Sequence, residues 1–296
     1  MYKNIVNLLR CPHCKGKLEL ESTKVDEEEV LEGKLSCDKG YDWIIRDGII
    51  DFNSKEQEEF NNWSESYEKM DYEELDRRIT EKTPDNEIDL REKTIKYIID
   101  SIKENKPNTI LDIATGRGML LTKLVEKIDS NIDIICVDLS FEVLKYDRIK
   151  AKNINPDMKV NYIACDATNL PFMDSSIDMA VSLSGIANMM ELIQQGITEA
   201  RRVLKENKYL LNTNIIIKNV NKVYEIVKAI KEKNGVDINI KDSHLTYKDV
   251  KNGHEKVNFS NVKIINIGES IGEKNELDLI PIEGEWFASV VAKCRK

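Results

Sequence analysis

From Asn108 onward the chain alternates short apolar runs with amphipathic, helix-like segments, and this alternation limits the fold more than any other feature. The runs are Thr109 to Ile113, Ile132 to Val137, Lys159 to Ala164, Met179 to Leu183 and Tyr209 to Ile217. Strands that are apolar almost throughout must be covered on both faces, which is the situation of a parallel sheet with crossover helices above and below it. The gaps between the first four runs are predicted to hold such helices. Two later runs, Val262 to Ile267 and Trp286 to Ala292, have no helical segment between them and predict an antiparallel hairpin on the sheet edge. The expected fold class is α/β: a seven-stranded, doubly wound sheet with an antiparallel C-terminal hairpin, preceded by a small N-terminal domain.

The upstream sequence divides in two. Residues 1–53 hold the close cysteine pair and short strand-like runs such as Lys17 to Leu20 and Tyr41 to Ile45, and read as a ribbon-like domain. Residues 54–105 read as an acidic helical connector, broken at Thr83-Pro84-Asp85, whose last helix presents Ile95, Ile98, Ile99 and Ile102 on one face. Residues 106–296 form the third region. The net charge of −9 belongs almost entirely to the connector: residues 51–105 carry 9 basic and 17 acidic side chains, whereas residues 106–296 carry 27 and 26. Overall acidity argues against a general nucleic-acid binder, but the near-neutral third region leaves RNA open as a partner. With 41% hydrophobic residues there is enough apolar material for a large core, which excludes wholesale disorder. No run approaches the roughly 18 consecutive apolar residues of a membrane span. A Cys-Pro-His-Cys turn follows the first ten residues where a signal peptide would have its cleavage site, and six cysteines are too sparse for a disulfide scaffold, so the expected setting is the cytoplasm.

The chemistry is concentrated after the first strand, in Ile110-Leu111-Asp112-Ile113-Ala114-Thr115-Gly116-Arg117-Gly118-Met119-Leu120. A strand ends in an acid, and small residues then turn the chain into a helix whose first amides face back over the strand end. Gly116 and Gly118 allow a ligand to approach the backbone where a Cβ would collide; the alternative is a tight turn that binds nothing. The spacing is neither G-x-G-x-x-G nor a phosphate-binding loop. An acid just before the turn would repel a pyrophosphate and suits a cationic ligand, which favours a sulfonium with an amino-acid tail. Asp138 ends the second strand, where a carboxylate accepts hydrogen bonds from ribose hydroxyls, and Asp166 follows the third, where it can accept from an exocyclic amine. Each lone Asp has an alternative as a helix N-cap. Together they fall where open α/β sheets bind ligands, at the carboxyl ends of consecutive strands.

These segments resemble the class I S-adenosylmethionine-dependent methyltransferases, which share a Rossmann-like fold, and within them the methyltransferase type 11 branch that includes the ubiquinone and menaquinone C-methyltransferases. The match is carried by Leu111 to Gly118, Asp166-Ala167-Thr168-Asn169-Leu170-Pro171-Phe172, Ile177-Asp178 through Gly185-Ile186-Ala187-Asn188, and Arg202-Val203-Leu204-Lys205. The resemblance implies that Asp112, Ala114, Gly116 and Gly118 hold the methionine part of S-adenosyl-L-methionine. It places Asp138 and Leu139 at the ribose, Asp166 and Ala167 at the adenine edge, and Leu183 and Ser184 at the methyl-transfer mouth. Trp63 and Tyr67 resemble the upstream aromatics that cover the cofactor; they equally suit the packing of an amphipathic helix. The family's turn after Arg-Val-Leu-Lys is replaced by Glu206-Asn207-Lys208, a change expected to alter shape only. His13, His244 and His254 lie outside these motifs and read as structural, so no catalytic base is assigned.

The implied reaction transfers a methyl group to a small-molecule acceptor; the alternatives are an RNA methyltransferase that docks its substrate on the N-terminal ribbon, and a non-catalytic binding module. Eight lysines between Lys218 and Lys251 suit an acidic acceptor or merely solvate helix faces. Cys11-Pro12-His13-Cys14 with Cys37 resembles a zinc-ribbon module found on some methyltransferases. Such a ribbon has four ligands, and here Gly40 stands where the fourth cysteine would fall. A zinc site built on Cys11, Cys14 and Cys37 can recruit His13, Asp38 or Asp42; the alternatives are a ribbon that has lost its metal and three ordinary thiols.

Overall fold

The computed structural model describes residues 1–53, 72–235, 239–275 and 277–296, and its centre is one mixed sheet of eleven strands. In chain order these are β1 (Glu19–Asp26), β2 (Glu29–Ser36), β3 (Asp42–Arg46), β4 (Ile49–Asp51), β5 (Thr109–Ile113), β6 (Asp133–Asp138), β7 (Val160–Ala164), β8 (Ile177–Ser182), β9 (Leu204–Ile217), β10 (Ser260–Ile271) and β11 (Trp286–Arg295). Across the sheet they run β1-β2-β3-β4-β7-β6-β5-β8-β9-β11-β10. Strands β4 to β9 pair in parallel, β11 runs antiparallel to β9, and β10 closes the edge antiparallel to β11. The seven expected strands are present, with the C-terminal hairpin where the sequence places it. The N-terminal strands extend the same sheet, because β4 pairs with β7 from Ile49 opposite Tyr162 to Asp51 opposite Ala164.

Alternate residues of the central strands feed opposite cores, which is why the runs are apolar throughout. Ile110 of β5 and Ile134 and Cys136 of β6 join one core, while Leu111, Ile113, Ile135 and Val137 join the other. The first core is covered by the helices α2 (Asp85–Asn105), α3 (Met119–Lys127) and α4 (Phe141–Ile154). In α2 the expected stripe of Ile95, Ile98, Ile99 and Ile102 is buried, each side chain contributing roughly 1.5–3 kcal/mol of transfer free energy. Opposite, α5 (Ile193–Val203) and α7 (Tyr247–Lys256) pack beside the N-terminal residues Ile5, Leu9 and Trp43. Helix α6 (Val220–Asn234) follows β9, and α1 (Tyr72–Lys82) precedes α2 across the Thr83-Pro84 break. The starts of the helices follow their sequences: Ser140 and Asn219 cap α4 and α6 through their side chains, and Thr246 with Asp249 forms a capping box on α7.

Two expectations change. The crossover from β7 to β8 holds no α-helix; a single 3-10 turn, Ala167–Asn169, replaces it, because twelve residues that must also carry Asp166 and the buried Leu170 and Phe172 leave no room for more. Strand β9 begins at Leu204 rather than at the expected Tyr209, so Glu206-Asn207-Lys208 lies inside it, with Asn207 in the left-handed backbone conformation.

Candidate functional site

The turn after β5 is built on its two neighbouring strands. Thr115 donates its backbone N–H to Val137 O (3.0 Å) and its hydroxyl to Asp112 Oδ2 (2.8 Å). Gly116 donates its N–H to Asp138 Oδ2 (2.9 Å), and Ser140 donates its own to Asp138 Oδ1 (2.9 Å). One short turn thereby fixes the carboxylates of Asp112 and Asp138 at adjacent strand ends. Ala114, Gly116 and Gly118 all have positive φ, of 54°, 57° and 66°. A Cβ on Gly116 would meet nothing within 4 Å, so that side of the turn is open, whereas a Cβ on Gly118 would stand 2.5 Å from Asp147 Oδ1. The two glycines have different causes: Gly118 makes room for α4, and Gly116 leaves space above the turn.

Asp112 is 1% exposed, and its Oδ1 is buried with no hydrogen-bond partner. Burial pushes its carboxyl up to about 7 against the pull of the Thr115 hydroxyl, with a smaller contribution from Asp138. Asp138 is also raised by burial, which outweighs the donors Ser140, Gly116 and Leu139. An enclosed acid with an orphan oxygen beside an open turn suits a cationic group, whose arrival would return the carboxylate to its charged form. Asp138, which accepts from the amides of Gly116, Leu139 and Ser140, retains acceptor capacity for a ribose hydroxyl. Asp166 accepts from Thr168 N (2.8 Å) and Thr168 Oγ1 (2.7 Å) as the cap of the Ala167–Asn169 turn, so the capping alternative is realised there. Leu139 follows Asp138, and its carbonyl accepts from Asn53 Nδ2 (2.7 Å), the last described residue of the N-terminal region. Leu183 and Ser184 follow β8; Ser184 has φ 61° and donates its N–H to Thr213 Oγ1 of β9 (2.7 Å). Tyr67 and Trp63 lie outside the described residues.

Several supporting residues carry no readable signal of their own in the sequence. Ser182 donates to Ile113 O (2.9 Å) and accepts from Ile186 N (2.9 Å), tying the end of β5 to the chain leaving β8. Gly185 must lack a side chain because a Cβ would stand 2.5 Å from Ala114 O. Asp76 of α1 accepts from Arg117 Nη1 (2.6 Å), Lys150 Nζ (3.3 Å) and Tyr146 OH (3.4 Å), which holds α1 against the turn. Other motif residues prove to be scaffold. Asp178 binds Lys205 Nζ (2.9 Å) and Asn108 N (3.2 Å) at the far end of the sheet, and Arg202 donates to Leu170 O (2.8 Å) and Phe172 O (2.7 Å), holding the Asp166 segment in place.

Two of the histidines are engaged away from the turn, whereas His244 is half-buried with its Nδ1 enclosed and without a hydrogen-bond partner, and burial pushes it down. His254 is buried between Val250 O (2.7 Å) and Asn212 Nδ2 (3.2 Å), and burial pushes it down to about 4. His13 stacks on Tyr41 and Trp43, with ring centroids 4.8 and 5.1 Å away. The lysines around α6 are engaged in part: Lys222 pairs with Glu285 (2.8 Å), Lys228 with Glu232 (3.9 Å) and Lys251 with Glu255 (3.7 Å), and Lys218 lies over Trp286.

The structure brings Cys11, Cys14 and Cys37 together, with all three Sγ atoms within 4.8 Å of one another. Among the described residues no fourth ligand joins this group: His13 is held in its aromatic stack, and neither Asp38 nor Asp42 belongs to it. Three thiols do not make the closed, four-ligand set of a structural zinc site.

Sheet order, glycine turn and strand-end acids together define a class I S-adenosylmethionine-dependent methyltransferase of Rossmann-like fold, and the residues at the turn fit that cofactor. Residues 88–235, half of the chain, match the ubiE/COQ5 methyltransferase family, and the chain belongs to it. It is similar to the demethylmenaquinone methyltransferase of Porphyromonas gingivalis, 33% identical over 121 residues that make up 41% of this chain and 47% of that protein. It is also similar to the ubiquinone/menaquinone biosynthesis C-methyltransferase of Rickettsia prowazekii, 35% identical over 104 residues, or 34% and 42% of the two chains. The match thus spans about half the length of these curated relatives. Among solved structures, the YcgJ protein from Bacillus subtilis shares the fold at a TM-score of 0.52 and 12% identity, covering 69% of this chain and 98% of that one. No described helix is long and apolar enough to cross a membrane.

Proposed function

We propose that the chain transfers a methyl group from S-adenosylmethionine to a small-molecule acceptor held beyond the ends of β8 and β9. The observation that carries this reading is the turn that binds Asp112 and Asp138 through Thr115 and Gly116 while leaving open space above Gly116. When bound, the cofactor supplies a methyl group activated by its sulfonium. In this reading Asp112 faces the cationic amino-acid end, Asp138 with Leu139 holds the ribose, Asp166 and Ala167 edge the adenine, and Leu183 and Ser184 line the mouth. In-line transfer then depends on alignment and on excluding water. Helix α1, pinned by Asp76, closes one side. On the other, the loop between β10 and β11 leaves the sheet beside the carboxyl end of β9, since Phe287 pairs with Ile217, and Asn275 of that loop reaches Glu87 of α2 (3.2 Å). A mouth flanked in this way suits a small acceptor. No described histidine serves as a base.

In the same reading residues 1–53 form a ribbon-like domain, 54–105 a connector and lid, and 106–296 the methyltransferase domain, working in a reducing cytoplasm that suits six free cysteines. The test is transfer of label from methyl-labelled cofactor. A demethylated naphthoquinol is the first acceptor to offer, because the Porphyromonas relative is named for one, with total cellular RNA in parallel. Label in the organic extract is expected; label in RNA alone would overturn the small-molecule reading.

A further inference from the structure

The three thiols gather on the N-terminal segment, whose Pro12 carbonyl accepts from Asn169 Nδ2 (3.3 Å) of the Ala167–Asn169 turn. Two reverse turns face each other. In the first, Cys11 N donates to Gly16 O (2.9 Å) and Lys15 N to Cys11 O (2.9 Å); in the second, Gly40 N donates to Cys37 O (2.9 Å) and Cys37 N to Tyr41 O (3.1 Å). Backbone N–H groups point at the sulfurs, from Gly16 to Cys14 and from Lys39 and Tyr41 to Cys37. Cys11 and Cys37 are buried, Cys14 is half-buried, and the sulfurs of Cys14 and Cys37 are 3.4 Å apart. With metal–sulfur bonds of roughly 2.3 Å, three sulfurs within 4.8 Å of one another can close on a single ion. Among the described residues no fourth ligand group joins the three sulfurs. Gly40, three residues after Cys37, has φ 80°, and a Cβ there would meet nothing within 4 Å.

We propose that Cys11, Cys14 and Cys37 bind one thiophilic monovalent ion of the copper(I) class through three thiolates, in place of a structural zinc. A closed structural zinc site takes four protein ligands, and among the described residues none joins the three thiols; a soft d10 monovalent ion is satisfied by three sulfurs. Binding exchanges three thiol protons for the metal with no change in oxidation state. The amides of Gly16, Lys39 and Tyr41 offset the negative charge that three thiolates leave on the complex. The site stands independently of the proposed methyl transfer.

The experiment titrates the reduced, metal-free full-length chain with copper(I) against a colorimetric copper(I) chelator, and separately with zinc(II) against a zinc chelator of nanomolar affinity. One copper(I) per chain is expected to be withheld from its chelator, with three sulfur neighbours by X-ray absorption, while zinc is surrendered. Cys14→Ser is expected to weaken copper binding at least a hundredfold, and Gly40→Cys to raise zinc affinity at least tenfold by supplying the missing ligand. The X-ray absorption measurement on the unaltered chain stands even if a variant fails to fold. Retention of zinc by the unaltered protein, a copper shell with fewer than three sulfurs, or undiminished copper binding by folded Cys14→Ser would each overturn the proposal.

Discussion

Asp112→Asn separates the energetics of the site from its geometry. Burial raises the Asp112 carboxyl from its ordinary 3.8 to about 7, so the folded chain holds this proton more tightly than the unfolded chain does. The contribution of Asp112 to stability is therefore greatest at low pH, falls as pH rises through the window from 3.8 to about 7, and is level above it. At 1.36 kcal/mol per pH unit, the two units of that window lying above pH 5 correspond to about 2–3 kcal/mol. Asn has the same shape and still accepts from the Thr115 hydroxyl, but it cannot ionise. Urea unfolding of the cofactor-free protein at pH 5 and pH 8 should show the unaltered chain losing about 2–3 kcal/mol more than Asp112→Asn between the two conditions, at equal denaturant slope. The variant should also lose the rise in S-adenosylhomocysteine affinity that ionisation of Asp112 brings above pH 7. A difference between the two proteins that is the same at both pH values, to within about 0.5 kcal/mol, would refute the argument that an enclosed, uncompensated acid sits under the turn.

Four further substitutions address the surroundings. Gly116→Ala should cost about 1 kcal/mol, the strain of a left-handed Ala, yet weaken S-adenosylhomocysteine at least tenfold in calorimetry. Gly118→Ala, driven against Asp147, should cost about 2 kcal/mol or more in thermal unfolding. Equal effects of the two on binding and stability would contradict their separate causes. Asp76→Ala should speed release of the bound cofactor product several-fold in stopped flow and cost about 1–3 kcal/mol of stability, since it leaves Arg117, Lys150 and the buried Tyr146 without their shared acceptor; an unchanged release rate would show that α1 is no lid. Arg202→Ala should destabilise the fold by about 3 kcal/mol, because it strips the carbonyls of Leu170 and Phe172 of a charged, half-buried donor. A loss below about 0.5 kcal/mol would remove Arg202 from the scaffold.

The parts of the molecule legible in the sequence are those fixed by local periodicity and by position along the chain. The apolar runs marked the strands because both faces of β5 and β6 are buried, and the helix-period isoleucines marked the buried face of α2. Asp112, Gly116 and Asp138 could be read because their order along the chain fixes their place at the strand ends. What the sequence concealed depends on contacts between distant segments. The edge pairing of β4 with β7 joins residues more than a hundred positions apart, and no pattern in Ile49-Ile50-Asp51 names its partner. Gly185 is required by Ala114, and Asp76 serves Arg117, Tyr146 and Lys150, relations that exist only once the turn is folded. The three thiols gathered as their spacing suggests, but their fourth partner could not be chosen from sequence, and His13 is withdrawn from the choice by Tyr41 and Trp43.

The central claim is that the turn after β5, together with Asp138, holds S-adenosylmethionine. Isothermal calorimetry of S-adenosylhomocysteine with the unaltered chain and with Asp138→Ala tests it most directly. Micromolar, one-to-one binding that Asp138→Ala weakens at least tenfold, about 1.4 kcal/mol or more, is the predicted result. An unaltered chain that takes up no S-adenosylhomocysteine, or an Asp138→Ala variant that binds it as well as the unaltered chain does, would contradict the account.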